Sequence, residues 1–216
     1  MKNLSYTTST LSNDADGICA SQSAAGAGAL TLDGALVSGG IATIAEAQKV
    51  TVTSAGNDSG ITFTVAGKDA DGVTISDTFA GGNTTTASST YYFKSVTGVS
   101  ASAATASTVT VGPLSTNGAV SKSLRLNSKA ENFKVGLFAD VTGTLTYSVE
   151  YAYEQPEDSY SVSYSSSADW RVVDGLSAQT TDQQSNLAYP VNAVRLKITS
   201  YTSGSVKLTA TQGYGS

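Results

Sequence analysis

Apolar and polar residues alternate along most of this 216-residue chain, in short runs typical of half-buried β-strands. The runs at 49–54, 61–65 and 73–75 have Val, Ile or Phe at every second position, with Thr between them. Because successive side chains of a strand point to opposite faces, this pattern gives each strand one apolar face. Turn-forming Gly, Asn and Asp residues separate the runs, as at 55–60 and 69–72. Helical periodicity is scant, so we predict an all-β chain.

The clearest alternation lies in the last third of the chain. Residues 145–153 have Leu, Tyr or Val at every second position, with polar or small residues between them. The runs at 194–198 and 206–210 alternate Val, Leu, Ile or Ala with Arg, Lys or Thr. A Thr-Ser-Gly sequence at 202–204 separates these two runs, and we expect it to be the turn of a hairpin that pairs them.

Opposite charges occupy the polar faces of these predicted strands. Glu150 lies in the first run, and Arg195, Lys197 and Lys207 lie in the two later ones. Side chains that face each other on neighbouring strands interact, and each ion pair contributes roughly 0.2–1 kcal/mol. We therefore expect Glu150 to pair with one or more of these three cations.

A change in composition divides the chain near residue 112. The sequence Gly-Pro-Leu-Ser-Thr-Asn-Gly at 112–118 has linker chemistry, and eight of the eleven tyrosines and the single Trp follow it. We expect an N-terminal arm at 1–18 and two domains at 19–113 and 119–216. Strands at this spacing are typical of antiparallel β-sandwiches in tandem, with a jelly-roll or immunoglobulin-like topology.

The composition argues against several classes of function. The chain has no His and a single Cys, so a Ser-His-Asp triad is impossible and soft metal ligands are nearly absent. We therefore expect no enzyme, no cofactor and no disulfide, with Cys19 as a small buried apolar residue. A net charge of −5 and only 13% charged residues argue against nucleic-acid binding. The stretch at 95–121 has no charged residue, but Ser, Thr, Ala and Gly dominate it, so it is too polar to span a membrane.

An Asp-Ala-Asp-Gly sequence occurs twice, at 14–17 and 69–72. Closely spaced carboxylates suit calcium, but neither copy has the further ligands of a calcium-binding loop. Asp and Gly also favour tight turns for reasons of backbone conformation. We predict turns at both positions and no metal site.

The candidate contact residues are Tyr160, Tyr164 and Trp170. They flank the polar Ser-Ser-Ser segment at 165–167, where a loop would expose them, and Tyr and Trp often anchor interfaces. Tyr147, Tyr151 and Tyr153 share a strand face with Leu145 and Val149, so we expect those three to pack in the core.

Several longer segments resemble virion proteins of tailed bacteriophages. They are QSAAGAGALTLDGALV (22–37), VTVTSAGNDSGITFTVAG (50–67), GTLTYSVEY (143–151), GLSA (175–178) and YPVNAVRLKI (189–198), together with Trp170. None of these segments carries a catalytic signature.

The resemblance implies a non-enzymatic structural protein of the phage particle, made in the host cytoplasm and present in many copies. Its expected role is capsid decoration, in which it stabilises the shell by binding the major capsid protein or other virion proteins. The alternatives are a neck, collar or tail-associated protein, and a carbohydrate-binding receptor module with Trp170 and tyrosines as its platform. The low-charge surface rich in small side chains favours a homo-oligomer, with a trimer expected.

Overall fold

The computed structural model describes residues 1–130, 133–154 and 169–213, and its regular structure consists of antiparallel strands. Within these ranges there is no α-helix, only a 3-10 turn at Ser115–Asn117. The predicted all-β class is confirmed. The strands are β1 (Lys2–Thr7), β2 (Cys19–Gln22), β3 (Gly28–Ala29), β4 (Val37–Ser38), β5 (Ile41–Ser54), β6 (Thr62–Lys68), β7 (Thr74–Ala80), β8 (Thr86–Ala101), β9 (Val109–Pro113), β10 (Ala119–Val120), β11 (Leu124–Arg125), β12 (Val135–Ala152), β13 (Arg171–Val172), β14 (Gln183–Leu187) and β15 (Ala193–Gln212).

The chain divides into two compact units. The N-terminal unit is Leu11–Asn117, and the C-terminal unit combines Gly118–Ser216 with Met1–Thr10. The first residues therefore differ from the expected arm at 1–18. Strand β1 pairs with β15 along its whole length, which satisfies the backbone groups of β1 that face β15 and makes β1 part of the C-terminal unit.

The N-terminal unit is built on antiparallel pairs that link β7, β6, β8, β5, β9 and β2 in that order. The alternation predicted from sequence sets its core: Phe63 and Val65 of β6 are buried, while Thr62 is exposed. Cys19 is fully buried among apolar residues, as expected. Burial raises the pKa of this thiol to about 12, so at neutral pH it is un-ionised.

The second Asp-Ala-Asp-Gly sequence forms the turn between β6 and β7, as predicted. The Asp69 carboxylate Oδ1 accepts backbone hydrogen bonds from Asp71 at 2.9 Å and Val73 at 3.0 Å. Gly72 completes the turn with a φ of 86°, a conformation that glycine adopts without strain. Asp69 is only 6% exposed, and within the described residues its Oδ2 has no hydrogen-bond partner.

This buried carboxylate predicts a pH dependence of stability. Burial raises the pKa of Asp69 from 3.8 to about 6, although the backbone donors oppose the rise. The folded protein therefore binds this proton more tightly than the unfolded chain does. Its contribution to the free energy of unfolding grows as the pH falls from 7 through 6, and it is fully present below 3.8.

Urea unfolding of the wild type and of Asp69→Asn at pH 7, 6 and 5 tests this prediction. The wild type should gain stability relative to the variant as the pH falls. An equal pH dependence in the two proteins would show that Asp69 ionises alike in the folded and unfolded states.

The C-terminal unit is built around a long antiparallel pair of β12 and β15. Strands β1, β10 and β11 add to β15, and β13 and β14 add to β12. The predicted apolar face is buried, with Tyr147 and Val149 of β12 and Leu196 and Leu208 of β15 at 0% exposure, but Ser148 on the other face of β12 is buried too.

The hairpin predicted at 202–204 is wrong. Residues 193–212 form one continuous strand, β15, and both of its halves pair with β12. Gly204 lies opposite Gly143, and both have positive φ, 93° and 87°. Two register shifts follow, at which Thr202 and Thr199 of β15 are skipped in the pairing with β12, so β15 bends here instead of folding back on itself.

Candidate functional site

Three tyrosines form a surface cluster where β12 ends. Tyr151 is half-buried on β12, Tyr153 follows it at 49% exposure, and Tyr189 comes from the loop between β14 and β15 at 39% exposure. Tyr151 packs edge-on against both other rings, with centroids 5.5 Å apart in each case. The Tyr153 and Tyr189 rings are 6.3 Å apart and tilted by 36°. We call these three residues the tyrosine cluster.

Asn192 holds the loop that carries Tyr189 against the end of β12. Its backbone N–H donates to the Ala152 carbonyl at 2.9 Å, and its side-chain amide donates to the Tyr153 carbonyl. A hydrogen bond between hydroxyls also links Tyr189 to Tyr151 and raises the pKa of Tyr151. These contacts position the rings before any partner arrives.

A charged pair borders the tyrosine cluster on β13. Arg171 lies opposite Tyr151 in the strand register, and its guanidinium contacts the Asp169 carboxylate at 2.7 Å. The hydrogen bond to Asp169 raises the pKa of Arg171. Both side chains are about 60% exposed, at 59% and 61%, and Val172 beside them is 42% exposed. The surface thus has an aromatic centre and a polar rim.

A buried ion-pair network lies beside the same strand ends. The Glu150 carboxylate, at 3% exposure, contacts the Arg195 guanidinium at 2.7 Å and the Lys197 ammonium at 2.9 Å. The predicted pairing of Glu150 is confirmed for these two cations. Lys207 instead lies opposite Asp140 in the register, on the far side of the bend in β15.

Of the three residues proposed from sequence as contacts, Tyr160 and Tyr164 lie outside the described residues. Trp170 is half-buried, and the Arg195 guanidinium carbon lies 3.9 Å from the centroid of its ring. This cation–π contact covers one face of the indole. Trp170 is therefore less exposed than the carbohydrate-binding receptor alternative assumed.

Sequence reasoning missed all three residues of the tyrosine cluster. Tyr151 was expected in the core but is only half-buried. Tyr153 was expected in the core because it continues the alternation of β12, but the strand ends at Ala152 and Tyr153 lies past the covered part of the sheet. Tyr189 lies in a loop before Pro190, and no local pattern brings it to β12. The available signal was the sequence that follows Tyr153, where Glu and Pro at 154–157 end the alternation of the strand.

Neither a metal centre nor a membrane-spanning helix is found among the described residues. No group of three or more His, Cys, Asp or Glu side chains in the described part of the chain is placed to hold a metal ion. Among the same residues, no helix has the length and apolar character needed to cross a membrane.

Comparisons with known proteins do not place the chain in a family. No protein-family model matches it, and neither does any curated protein. Among solved structures, the crystal structure of allantoicase from Saccharomyces cerevisiae has 12% sequence identity to it. The match covers 81% of this chain and 76% of allantoicase, with a TM-score of 0.25. A TM-score this low assigns neither a fold family nor a reaction to the chain.

Two expectations from the sequence are nevertheless corrected. The chain was expected to be a non-enzymatic phage structural protein, in capsid decoration or in the neck, collar or tail, but no comparison links the chain to phage proteins, and that expectation is withdrawn. The expectation that it is not an enzyme is withdrawn as well, since nothing in the comparisons supports it and allantoicase is itself an enzyme. The resemblance to tailed-phage virion proteins, with the capsid partners and the location that it implies, stays a prediction.

Proposed function

We propose that the chain is a subunit of a homo-oligomer, a trimer, whose copies associate through the tyrosine cluster. The observation that carries this proposal is the mutual contact of Tyr151, Tyr153 and Tyr189 on the surface, with the last two rings 49% and 39% exposed. Buried Tyr, Trp and Arg side chains supply most of the binding energy of protein interfaces. Rings already fixed against each other lose little conformational entropy on association.

The charges around the cluster support contact with a second copy of the same chain. Arg171 and Asp169 lie side by side, so Arg171 of one copy can meet Asp169 of the next copy around the ring of a trimer. The whole chain is only 13% charged, with a net charge of −5, so repulsion between copies is small. The aromatic centre supplies attraction, and the charged rim fixes orientation.

Sedimentation or light scattering of the wild type and of Tyr153→Ala/Tyr189→Ala tests this proposal. We expect the wild type at three times the chain mass of 21.9 kDa and the double variant at a single chain mass. Phe138→Ala is the matched control, since this aromatic residue is also on β12 and is 45% exposed but lies outside the cluster. It should keep the wild-type mass.

Two results would overturn the proposal. A wild type that stays monomeric at millimolar concentration would show that the chain does not self-associate. A double variant that keeps the wild-type mass would show that the copies meet elsewhere. The circular dichroism spectra of the two proteins must match, which excludes unfolding as the cause of a lower oligomer mass.

We further infer that the strands of each unit are packed as a β-sandwich. Strand β5 is buried without alternation at residues 46–48 and 50–52, and β12 at residues 147–150. Burial of an apolar face along these strands supports a second sheet packed against that face.

A further inference from the structure

A groove of about 510 Å³ crosses the outer face of β14, β12 and β15, in the half of β12 away from the tyrosine cluster. This volume lies within the range of roughly 300–1,000 Å³ that small-molecule sites occupy. Besides Leu137 and Ser185, its lining consists of residues on the outward face of the three strands: Gly136, Phe138, Gln184, Asn186, Thr209 and Thr211.

The register of the three strands explains the depression. Gly136 of β12 lies between Asn186 of β14 and Thr211 of β15. Because Gly136 has no side chain, it leaves a gap between two polar ones, and a Cβ added there would meet nothing within 4 Å. Phe138, two positions on, closes one end of the gap with a ring that is 45% exposed.

Four polar side chains of the groove are uncharged and available to hydrogen-bond a ligand. Gln184 and Thr209 flank Phe138 in the register, just as Asn186 and Thr211 flank the glycine. Within the described residues, none of these four side chains makes a hydrogen bond to another protein group. Each amide offers two donors and an acceptor, and each hydroxyl offers one donor and accepts as well.

We propose that this groove binds a neutral saccharide. A sugar ring has C–H faces that stack on an aromatic ring and hydroxyl edges that pair with amides and hydroxyls, so Phe138 and its four polar neighbours supply both kinds of contact. A charged ligand would lack a counter-charge, since none of the lining residues is ionisable. A purely apolar ligand would leave the amides of Gln184 and Asn186 without partners.

Glycan-array screening with neutral and sialylated saccharides, followed by calorimetric titration of the best neutral saccharide, tests the proposal. Phe138→Ala removes the stacking ring. Gly136→Val puts two methyl groups into the gap, on a Cβ that meets nothing within 4 Å. Each should weaken the affinity tenfold or more. Gly98→Val is the matched control, because a Cβ at Gly98 of β8 also meets nothing within 4 Å but lies in the other unit. It should bind as the wild type does.

The proposal is overturned if no neutral saccharide binds the wild type, if only sialylated saccharides bind, or if both groove variants keep the wild-type affinity. Thermal melts of the three variants separate lost binding from lost folding. The result is independent of the proposed assembly. Tyr153→Ala/Tyr189→Ala should keep saccharide binding, and Phe138→Ala should lose binding while keeping the wild-type mass.

Discussion

Replacing Glu150 by alanine is expected to lower the free energy of unfolding by about 3 kcal/mol, because it leaves buried cations without their shared carboxylate. The Arg195 side chain is only 12% exposed, and Glu150 contacts it at 2.7 Å. Lys197 is 35% exposed, so water can solvate its ammonium group after the carboxylate is removed. The expected loss of stability is therefore at the lower end of the range for buried ion pairs. The corresponding fall in melting temperature is about 6–12 °C.

Thermal and urea unfolding measure this effect, with Asp169→Ala as the matched control. The pair of Asp169 with Arg171 has the same 2.7 Å length, but both side chains are about 60% exposed, at 61% and 59%. Its loss should change stability far less, because water screens an ion pair at the surface. Equal losses in the two variants would show that burial does not set the strength of the Glu150 contacts.

Replacing Gly204 by alanine is expected to cost about 4 kcal/mol, from a strained φ and a direct clash together. The φ of Gly204 is 93°, and an added Cβ would lie 1.7 Å from the Thr142 carbonyl oxygen. That oxygen belongs to the backbone of β12, so it moves only if the paired strands separate. A smaller loss is expected for Gly143→Ala, where the nearest atom lies at 2.7 Å.

Gly136→Ala completes this series as the unstrained control. A Cβ at Gly136 meets no atom within 4 Å, and alanine in a strand is favoured over glycine by roughly 0.5–1 kcal/mol. Urea unfolding should therefore rank the variants Gly204→Ala, Gly143→Ala and Gly136→Ala from least to most stable. If Gly204→Ala fails to fold, its soluble yield relative to Gly136→Ala gives the same order. A stable Gly204→Ala protein would show that the bend does not depend on glycine.

Local alternation was enough to predict which strand faces are buried, as at Phe63 and Val149, because burial of one face is a property of the strand itself. It was not enough to predict the path of the backbone through Thr-Ser-Gly at 202–204. A glycine with positive φ serves equally in a hairpin turn and in a bend of a continuous strand. The choice depends on Gly143, which is distant in sequence and lies opposite Gly204 only in the folded protein.

The Glu150 ion pairs and the tyrosine cluster also differ in how far the sequence predicts them. The pairing of Glu150 with Arg195 was predictable, since both belong to polar faces of clear strands that can lie opposite each other. The tyrosine cluster was not predictable, since Tyr189 reaches Tyr151 through a loop whose path no short-range pattern encodes. Exposure of Tyr153 depends on where the neighbouring strand β13 stops covering β12, which is a property of the sheet.

The pairing of β1 with β15 sets an order of events in folding. The backbone N–H of Val206 donates to the Thr8 hydroxyl across 198 positions of sequence. In the sequence, the whole N-terminal unit comes between β1 and β15. During synthesis, β1 therefore stays without its partner until residues 207–212 leave the ribosome, whereas the N-terminal unit has all of its strands much earlier. Once that unit folds, it shortens the flexible chain that must close, which lowers the entropic cost of joining β1 to β15.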